Sequence, residues 1–285
     1  MKRIAFINNK GGVSKTTSTI AVANILADEY GKKVLLVDMD PQRNTTTRFT
    51  ETDYFDIFEN LMYGKDIMRE DKSIEDVLMD PGIDLKGVIK KTKYTNIDIL
   101  PAQLTLSSIE ETLRQDYKRG YIQTRLKEAL MQVDDDYDYC IIDCGPSVGL
   151  INVNALVAAE DVYIPIRPDG DSLVGMAITR NLVNEVANLN ESLEIAGIFF
   201  TCFKSREKMS KGMRQYLEDF LSEFDLQLLP IEIGVSAIVA QQTTTKLSLS
   251  ELDDKSKITN NYRDLVKYII APNKKLFLKD YIREE

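Results

Sequence analysis

The chain has 285 residues, of which 44% are hydrophobic, 28% charged and 8% aromatic. This composition excludes a disordered or collagen-like chain, and the length allows one or two domains. The sequence contains no apolar run of roughly 18 residues, the length of a transmembrane helix. The N-terminus also lacks the stretch of about 7–15 apolar residues that a signal peptide needs. We therefore expect a cytoplasmic protein.

The chain contains no histidine and only three cysteines. The absence of histidine excludes the usual general base, the catalytic triads that depend on it and most zinc sites. Three cysteines are too few for a four-thiolate metal site or a disulfide scaffold. Cys140 and Cys144 fall in one predicted strand, about 13 Å apart, which is beyond disulfide reach. We expect buried, reduced thiols.

The net charge of −9 argues against a nucleic-acid partner, but the charge is distributed unevenly. Residues 203–214 contain five basic residues and one acidic residue, a net charge of +4. An acidic protein can therefore still carry one basic face.

Short apolar runs alternate along the chain with segments of helical periodicity. The first strand is predicted at 4–8, the first helix at 15–30 and the second strand at 34–38. Further strands are predicted at 96–101, 138–143, 162–166 and 195–201, and further helices at 173–189, 210–222 and 258–270. This alternation predicts an α/β fold with a mostly parallel, twisted sheet and helices on both faces.

Residues 48–96 are acidic and less regular, with short helical patches at 55–62 and 73–79 and a break at Pro81-Gly82. We interpret them as an elaboration of a single domain over residues 1–285, although a small subdomain is an alternative. Residues 258–285 form the C-terminal helix and tail of this domain.

Residues 9–17, Asn-Lys-Gly-Gly-Val-Ser-Lys-Thr-Thr, follow the first strand and open the first helix. A strand, a glycine-containing loop and a helix N-terminus together favour polyphosphate binding. Lys15 would reach the β- and γ-phosphates, and the Thr16 hydroxyl would bind Mg²⁺. The pattern G-x-x-x-x-G-K-[ST] is not met, because Asn9 and Ser14 occupy its glycine positions. A chance glycine turn before a helix is therefore the alternative.

Three carboxylates lie at the predicted carboxyl ends of strands. Asp38 and Asp40 follow the second strand, and Asp143 ends the strand at 138–143. Beside a phosphate loop, such carboxylates suit Mg²⁺ coordination and the positioning of an attacking water. One carboxylate at a strand end is common, but three together with the loop rarely coincide by chance.

Five segments, taken together, resemble the ParA/MinD superfamily of partition ATPases. They are KGGVSKTT (10–17), VLLVDMDPQRNTT (34–46), ILPAQLTL (99–106), DYDYCIIDCGPSVGLINVNAL (136–156) and VYIPI (162–166). Lys10 corresponds to the extra lysine that marks the deviant Walker A loop of this superfamily. The resemblance implies a P-loop NTPase fold of the short type without an N-terminal DNA-binding domain.

The resemblance also implies ATP and Mg²⁺ as cofactors and an ATP-dependent homodimer. Lys10 of one subunit would reach the phosphates held by the other, and Asp40 would be the hydrolysis aspartate. The implied catalytic residues are Lys10, Lys15 and Asp40, and the implied metal site comprises Thr16, Asp38, Asp40 and Asp143. The implied nucleotide contacts are Lys10, Gly11, Gly12, Val13, Ser14, Lys15, Thr16 and Thr17.

Two residues depart from the family pattern. Ser14 replaces a glycine, which would cost about 1 kcal/mol if the position requires positive φ. Gly145 replaces a usual proline and would loosen the turn after the strand at 138–143. These departures favour a weak or regulated ATPase.

Partition members of the family bind DNA nonspecifically as ATP dimers through basic residues in the C-terminal third. Arg206 falls at the place of one such arginine, whereas a second is absent near 232–237. Nearby cations on predicted helices could compensate by contacting phosphates, although a solvated helix face is the alternative. The full candidate set is Lys204, Arg206, Lys208, Lys211, Arg214, Arg263 and Lys267.

The leading hypothesis is an ATP-driven positioning switch that binds DNA and is released by a ParB-like adaptor. A nucleotide-binding regulator that hydrolyses ATP poorly because of Ser14 is an alternative. A MinD-like membrane regulator would use the apolar residues of 274–285, but the acidic end of that segment disfavours anionic lipid.

Overall fold

The computed structural model describes residues 1–64, 71–115 and 121–284. In these ranges the strands are β1 (Lys2–Phe6), β2 (Val34–Met39), β3 (Lys90–Lys91), β4 (Ile97–Leu100), β5 (Tyr139–Cys144), β6 (Asp161–Ile166), β7 (Glu194–Phe203) and β8 (Leu228–Gly234). They form one sheet in the order β3-β4-β2-β5-β1-β6-β7-β8. Only β3 runs antiparallel to its neighbour among these strands. The predicted mostly parallel sheet is confirmed.

Helices cover both faces of this sheet. They are α1 (Lys15–Asp28), α2 (Asn44–Phe49), α3 (Tyr54–Met62), α4 (Ile74–Met79), α5 (Ile109–Gln115), α6 (Arg125–Leu130), α7 (Leu150–Ala158), α8 (Gly170–Val186), α9 (Lys208–Ser222), α10 (Ala237–Thr245), α11 (Leu249–Asp253), α12 (Lys257–Ile270) and α13 (Lys274–Glu284).

Alternate side chains of β1 enter two separate apolar cores, as the period of a strand requires. Ala5 lies in the core shared with α4 and α6–α9, whereas Phe6 lies in the core shared with α1 and α12. Because α9 and α12 belong to different cores, they lie on opposite faces of the sheet. The predicted α/β fold, with helices on both faces, is confirmed.

Element ends differ by a few residues from those predicted. β1 ends at Phe6 rather than at residue 8, because Asn8 turns into the loop and its Nδ2 donates to Pro165 O at 2.8 Å. α8 begins at Gly170 rather than at residue 173, because the side chain of Asp169 caps it by accepting from Ser172 N at 2.8 Å.

The acidic stretch 48–96 contains α3, α4 and β3, together with residues 65–70, which lie outside the described ranges. α4 buries Ile74, Val77 and Leu78 in the core beside α6. The antiparallel strand β3 was not predicted, because its lysine pair lacks apolar residues.

The two thiols of β5 are buried as predicted, whereas Cys202 is only half-buried. Cys140 and Cys144 are fully buried in β5, and none of the three cysteines forms a disulfide. Burial raises the pKa of the Cys140 thiol to about 12. Cys140 is therefore an inert core residue at neutral pH.

Candidate functional site

The loop between β1 and α1 is held in place from outside by α8. Asn8 Oδ1 accepts from Lys10 N at 2.9 Å, and Asn9 N donates to Thr179 Oγ1 at 2.9 Å. A Cβ added to Gly175 would lie only 2.5 Å from Asn8 Oδ1, so this glycine permits the close approach. The loop is therefore positioned by α8 as well as by its own strand and helix.

Positive φ values occur at two positions of the loop. Gly12 has φ 74° and Ser14 has φ 65°, in the left-handed region where a Cβ is strained. Ser14 sits at the N-terminus of α1, and its side chain makes no capping hydrogen bond. The sequence predicts that Ser14 is costly if its φ is positive, and the structure meets that condition.

The side chain of Lys15 is buried at the centre of the site. Its Nζ donates to the carbonyl of Lys10 at 2.9 Å, which curls the loop around the ammonium group. Burial lowers the pKa of Lys15, while the carboxylates of Asp143 and Asp40 oppose that change. The charge of Lys15 therefore lies beside two of the three predicted aspartates.

Asp38 and Asp143 lie side by side on neighbouring strands, in register across β2 and β5. Both are fully buried. Burial first, and then the charge of the other carboxylate, raises the pKa of Asp38. Burial also raises the pKa of Asp143, with a further contribution from Asp40. The two carboxylates repel each other, and a cation placed here would relieve that repulsion.

Threonines of α2 hold these two carboxylates. Thr46 donates to Asp38 Oδ2 through both N, at 2.8 Å, and Oγ1, at 2.7 Å. Thr45 Oγ1 donates to Asp143 Oδ2 at 2.6 Å. Sequence reasoning did not assign these threonines, although the polar run after residue 42 was the available signal.

Asp40 lies at the rim of the same group, in the turn after β2. Its Oδ1 accepts from Gln42 N at 2.9 Å. Gly145 packs against this turn, so that an added Cβ would lie 3.3 Å from Pro41 Cδ and 3.5 Å from Asp40 Oδ1. A side chain at position 145 would therefore crowd Pro41, the neighbour of the predicted hydrolysis aspartate.

These residues fit a Mg²⁺–nucleotide rather than a metal held by protein alone. Within the described ranges, no cluster of three or more carboxylate, cysteine or histidine side chains could enclose a metal ion. Mg²⁺ commonly takes one or two protein ligands, phosphate oxygens and waters. The side chain of Thr16, the predicted Mg²⁺ ligand, hydrogen-bonds Asp143.

The side chain of Lys10 forms an ion pair with α8 of the same chain. Its Nζ lies 2.8 Å from Asp171 Oδ2 in the first turn of α8, and both side chains are exposed. The loop backbone of Gly11 and Gly12 is also exposed, whereas Val13 is buried and Thr17 is half-buried.

The predicted DNA-binding cations do not form one surface. Arg206, Lys208 and Lys211 are exposed at the start of α9, and none forms an ion pair with a described residue. Lys204 pairs with Glu207 at 2.8 Å. Arg214 forms ion pairs with Glu218 at 2.9 Å and Glu232 at 3.1 Å.

Arg263 and Lys267 lie on α12, across the sheet from α9. Arg263 pairs with Glu29 at 2.8 Å and also with Asp254, and Lys267 pairs with Asp264 at 2.9 Å. Together with α9 they do not make one basic face, because the two helices pack on opposite faces of the sheet.

The tail at 274–285 forms α13 as far as residue 284, and residue 285 lies outside the described ranges. Leu278 is buried, and Phe277 and Tyr281 pack against the α12 core. These apolar side chains are therefore partly covered by the rest of the chain. Among the described helices, none combines the length and apolarity required to span a bilayer.

Comparisons with known proteins agree with this geometry. A family model described as AAA domain matches residues 1–195. The sporulation initiation inhibitor protein Soj of Bacillus subtilis is 33% identical over 273 residues, with 95% of this chain and 98% of Soj covered. An uncharacterized Mycobacterium tuberculosis protein, MT1749, is 37% identical over 221 residues, which is 75% of this chain but only 64% of that protein.

Solved structures share the fold over nearly the whole chain. A plasmid partition protein from Borrelia burgdorferi B31 bound to AMPPNP superposes with a TM-score of 0.74 at 25% identity, covering 94% of this chain and 98% of that one. Cobyrinic acid a,c-diamide synthase from Mycobacterium smegmatis, with an ATP analogue and magnesium, gives a TM-score of 0.74 at 27% identity, covering 96% and 98%. With the loop and its aspartates in place, the chain belongs to the ParA/MinD superfamily of partition ATPases.

Proposed function

We propose that this protein is an ATP-dependent partition ATPase that dimerises when it binds ATP and Mg²⁺, then binds DNA nonspecifically. A ParB-like adaptor stimulates hydrolysis, and the separated subunits leave the DNA. The observation that carries the proposal is the burial of Lys15 beside Asp40 and Asp143 at the mouth of the loop.

The chain supplies each group that nucleotide hydrolysis requires. Loop N–H groups and Lys15 bind the β- and γ-phosphates, and Thr16 contributes a ligand to Mg²⁺. Asp38 and Asp143 would hold the hydrated metal, while Asp40 would orient the attacking water. Mg²⁺, when bound, would supply positive charge against the charge that develops on the phosphates. The AMPPNP of the Borrelia structure and the ATP analogue and magnesium of the Mycobacterium structure support ATP and Mg²⁺ as the cofactors.

Lys10 links nucleotide binding to dimerisation. Its exposed position lets its ammonium group exchange the carboxylate of Asp171 for the phosphates bound by a second subunit. A cation that crosses the interface stabilises the ATP dimer and the charge of the transition state.

The DNA contacts are Arg206, Lys208 and Lys211, because these exposed cations carry no ion pair with a described residue. They lie together at the start of α9 and would bind phosphates without reading bases. The ATP dimer duplicates this cluster, and two weak sites then bind one duplex with increased avidity. In a cell, the ATP-bound form would be found on the nucleoid and the nucleotide-free form in the cytoplasm.

The test is retention of the full chain on immobilised DNA with ATP, ADP or no nucleotide, across a salt series. We expect ATP-selective retention that weakens steeply with salt. Lys15→Ala should abolish it, whereas Asp40→Ala should prolong it by trapping the ATP dimer. Equal retention in all three nucleotide states would remove the DNA switch from the proposal.

A second function is favoured by the left-handed φ of Ser14. A strained phosphate loop suits a nucleotide-binding regulator that hydrolyses ATP poorly and sequesters a partner protein. Such a regulator would dimerise with ATP but show no ATP-selective retention on DNA, so the same experiment separates the two functions.

A further inference from the structure

A second cleft lies beside α2, between the β3–β4 edge of the sheet and the end of α10. Its volume is about 1030 Å³. Six basic residues line it, against two acidic ones among the described residues. The basic residues are Arg43, Arg48, Lys90, Lys91, Lys93 and Lys246, and the acidic residues are Glu51 and Asp71.

Arg43 is the most unusual of these residues. It precedes α2 with φ 48°, and its side chain is only 5% exposed. Among the described residues, its Nε has no hydrogen-bond partner and its guanidinium forms no ion pair. Burial lowers the pKa of Arg43, although the more distant carboxylates of Asp38 and Glu75 oppose this. A buried guanidinium without a close anion is costly, and a bound anion would remove that cost.

Arg48 lies about one turn further along α2, and some of its nitrogens are also buried without a partner among the described residues. Its Nη2 donates to Thr243 Oγ1 at 2.6 Å and its guanidinium also interacts with the hydroxyl of Tyr54, whereas Nε and Nη1 are buried without a close hydrogen-bond partner in the described part of the chain. Two lysines of the cleft are already neutralised, since Lys90 pairs with Asp71 at 3.2 Å and Lys91 with Asp98 at 2.7 Å. The two arginines keep an excess of positive charge.

Lys246 closes the other side of the cleft. It has φ 56°, and its Nζ donates to the carbonyls of Thr50 and Thr52 at 3.1 and 2.7 Å. The hydroxyls of Thr50 and Thr92, in the same lining, already donate to the carbonyls of Thr46 and Ile97 at 2.8 and 2.6 Å. The groups that match the oxygens of a phosphate are therefore the two guanidiniums, with the positive charge of Lys246 beside them.

We propose that this cleft is a second anion site, which binds the phosphate group of a small phosphorylated molecule between Arg43 and Arg48. A small molecule is favoured over a nucleic acid because the phosphates of a duplex cannot reach a side chain as buried as Arg43. The site also touches the nucleotide machinery, because Thr46 lines the cleft and donates to Asp38.

The test is calorimetric titration of the full-length Lys15→Ala variant with pyrophosphate, since this background weakens anion binding at the phosphate loop. We expect one binding event that Arg43→Asn weakens by about tenfold or more. Arg114→Asn is the matched control, because Arg114 is exposed and pairs only with Glu110 among the described residues. It should leave binding unchanged.

Thermal unfolding checks that the variant folds. Asparagine tolerates the left-handed region and caps helices well, so Arg43→Asn should unfold at or above the temperature of its parent. If it fails to fold, Arg48→Gln must weaken pyrophosphate binding several-fold instead. Absence of pyrophosphate binding, equal binding by Arg43→Asn, or tighter binding of a hexaglutamate peptide than of pyrophosphate would overturn the proposal.

Discussion

Lys10 and Asp171 form an exposed ion pair within one chain, with 2.8 Å between Nζ and Oδ2. The ammonium group lowers the pKa of the Asp171 carboxyl. Under the proposed function, this same ammonium leaves Asp171 to reach the nucleotide of a second subunit. The ion pair therefore competes with dimerisation.

Asp171→Asn should favour the ATP-dependent dimer. The ion pair is exposed and weak, and each subunit of the dimer gives one up, so we expect the dimer dissociation constant to fall several-fold. Sedimentation equilibrium with ATP and Mg²⁺, in the Asp40→Ala background, measures this constant. Asp136→Asn is a matched control, because it removes an exposed aspartate that pairs with Lys86. A weaker dimer in Asp171→Asn would contradict the competition.

Gly175→Ala should weaken nucleotide binding. The new Cβ would lie 2.5 Å from Asn8 Oδ1 and 2.9 Å from Lys10 Cβ. Asn8 is buried and bonded to Pro165 O, so the loop itself must shift. We expect the affinity for a fluorescent ATP analogue to fall by about tenfold, since displaced phosphate donors lose charge-assisted hydrogen bonds.

Gly212→Ala is the control for Gly175→Ala, because it also places an alanine inside a helix. Gly212 lies inside α9 with open space around it, so alanine should raise the free energy of unfolding by about 0.5–1 kcal/mol. Its nucleotide affinity should remain unchanged. Equal affinities of the two alanine variants would show that α8 does not position the loop.

The central sheet could be predicted from the sequence because parallel strands buried on both faces give continuous apolar runs. The loop and its aspartates were found for a related reason, since their roles depend on fixed positions after strands. The role of α2 was missed, because a helix as short as Asn44–Phe49 shows little periodicity. The pairing of Arg214 and Arg263 with acids far along the chain left no local signal.

Removing cations of α9 should weaken DNA retention more than removing cations of α12. Lys208→Ala/Lys211→Ala removes two exposed charges from the proposed DNA surface. Lys257→Ala/Lys267→Ala removes the same charge from α12, on the opposite face of the sheet. We expect only the α9 variant to lower the salt slope of retention, by up to about four, because the dimer loses two phosphate contacts in each subunit. Equal losses would indicate a general effect of net charge.

Ser14→Gly should relieve strain in the phosphate loop. At φ 65° a residue with a Cβ costs about 1 kcal/mol relative to its preferred regions, and glycine does not. We expect a small gain in stability and a several-fold gain in ATP turnover, because the loop N–H groups then hold the phosphates without distortion. Steady-state phosphate release measures the turnover.

Asp225→Gly is the control for Ser14→Gly. It replaces a residue of positive φ outside the phosphate loop, and so shows what the relief of backbone strain alone does. Asp225 has φ 54° and is exposed at the end of α9, away from the nucleotide residues. Its replacement should raise stability to a similar extent without changing turnover. If both glycine variants stabilise the protein but neither changes turnover, Ser14 does not limit hydrolysis, and the regulator function loses the observation that favours it.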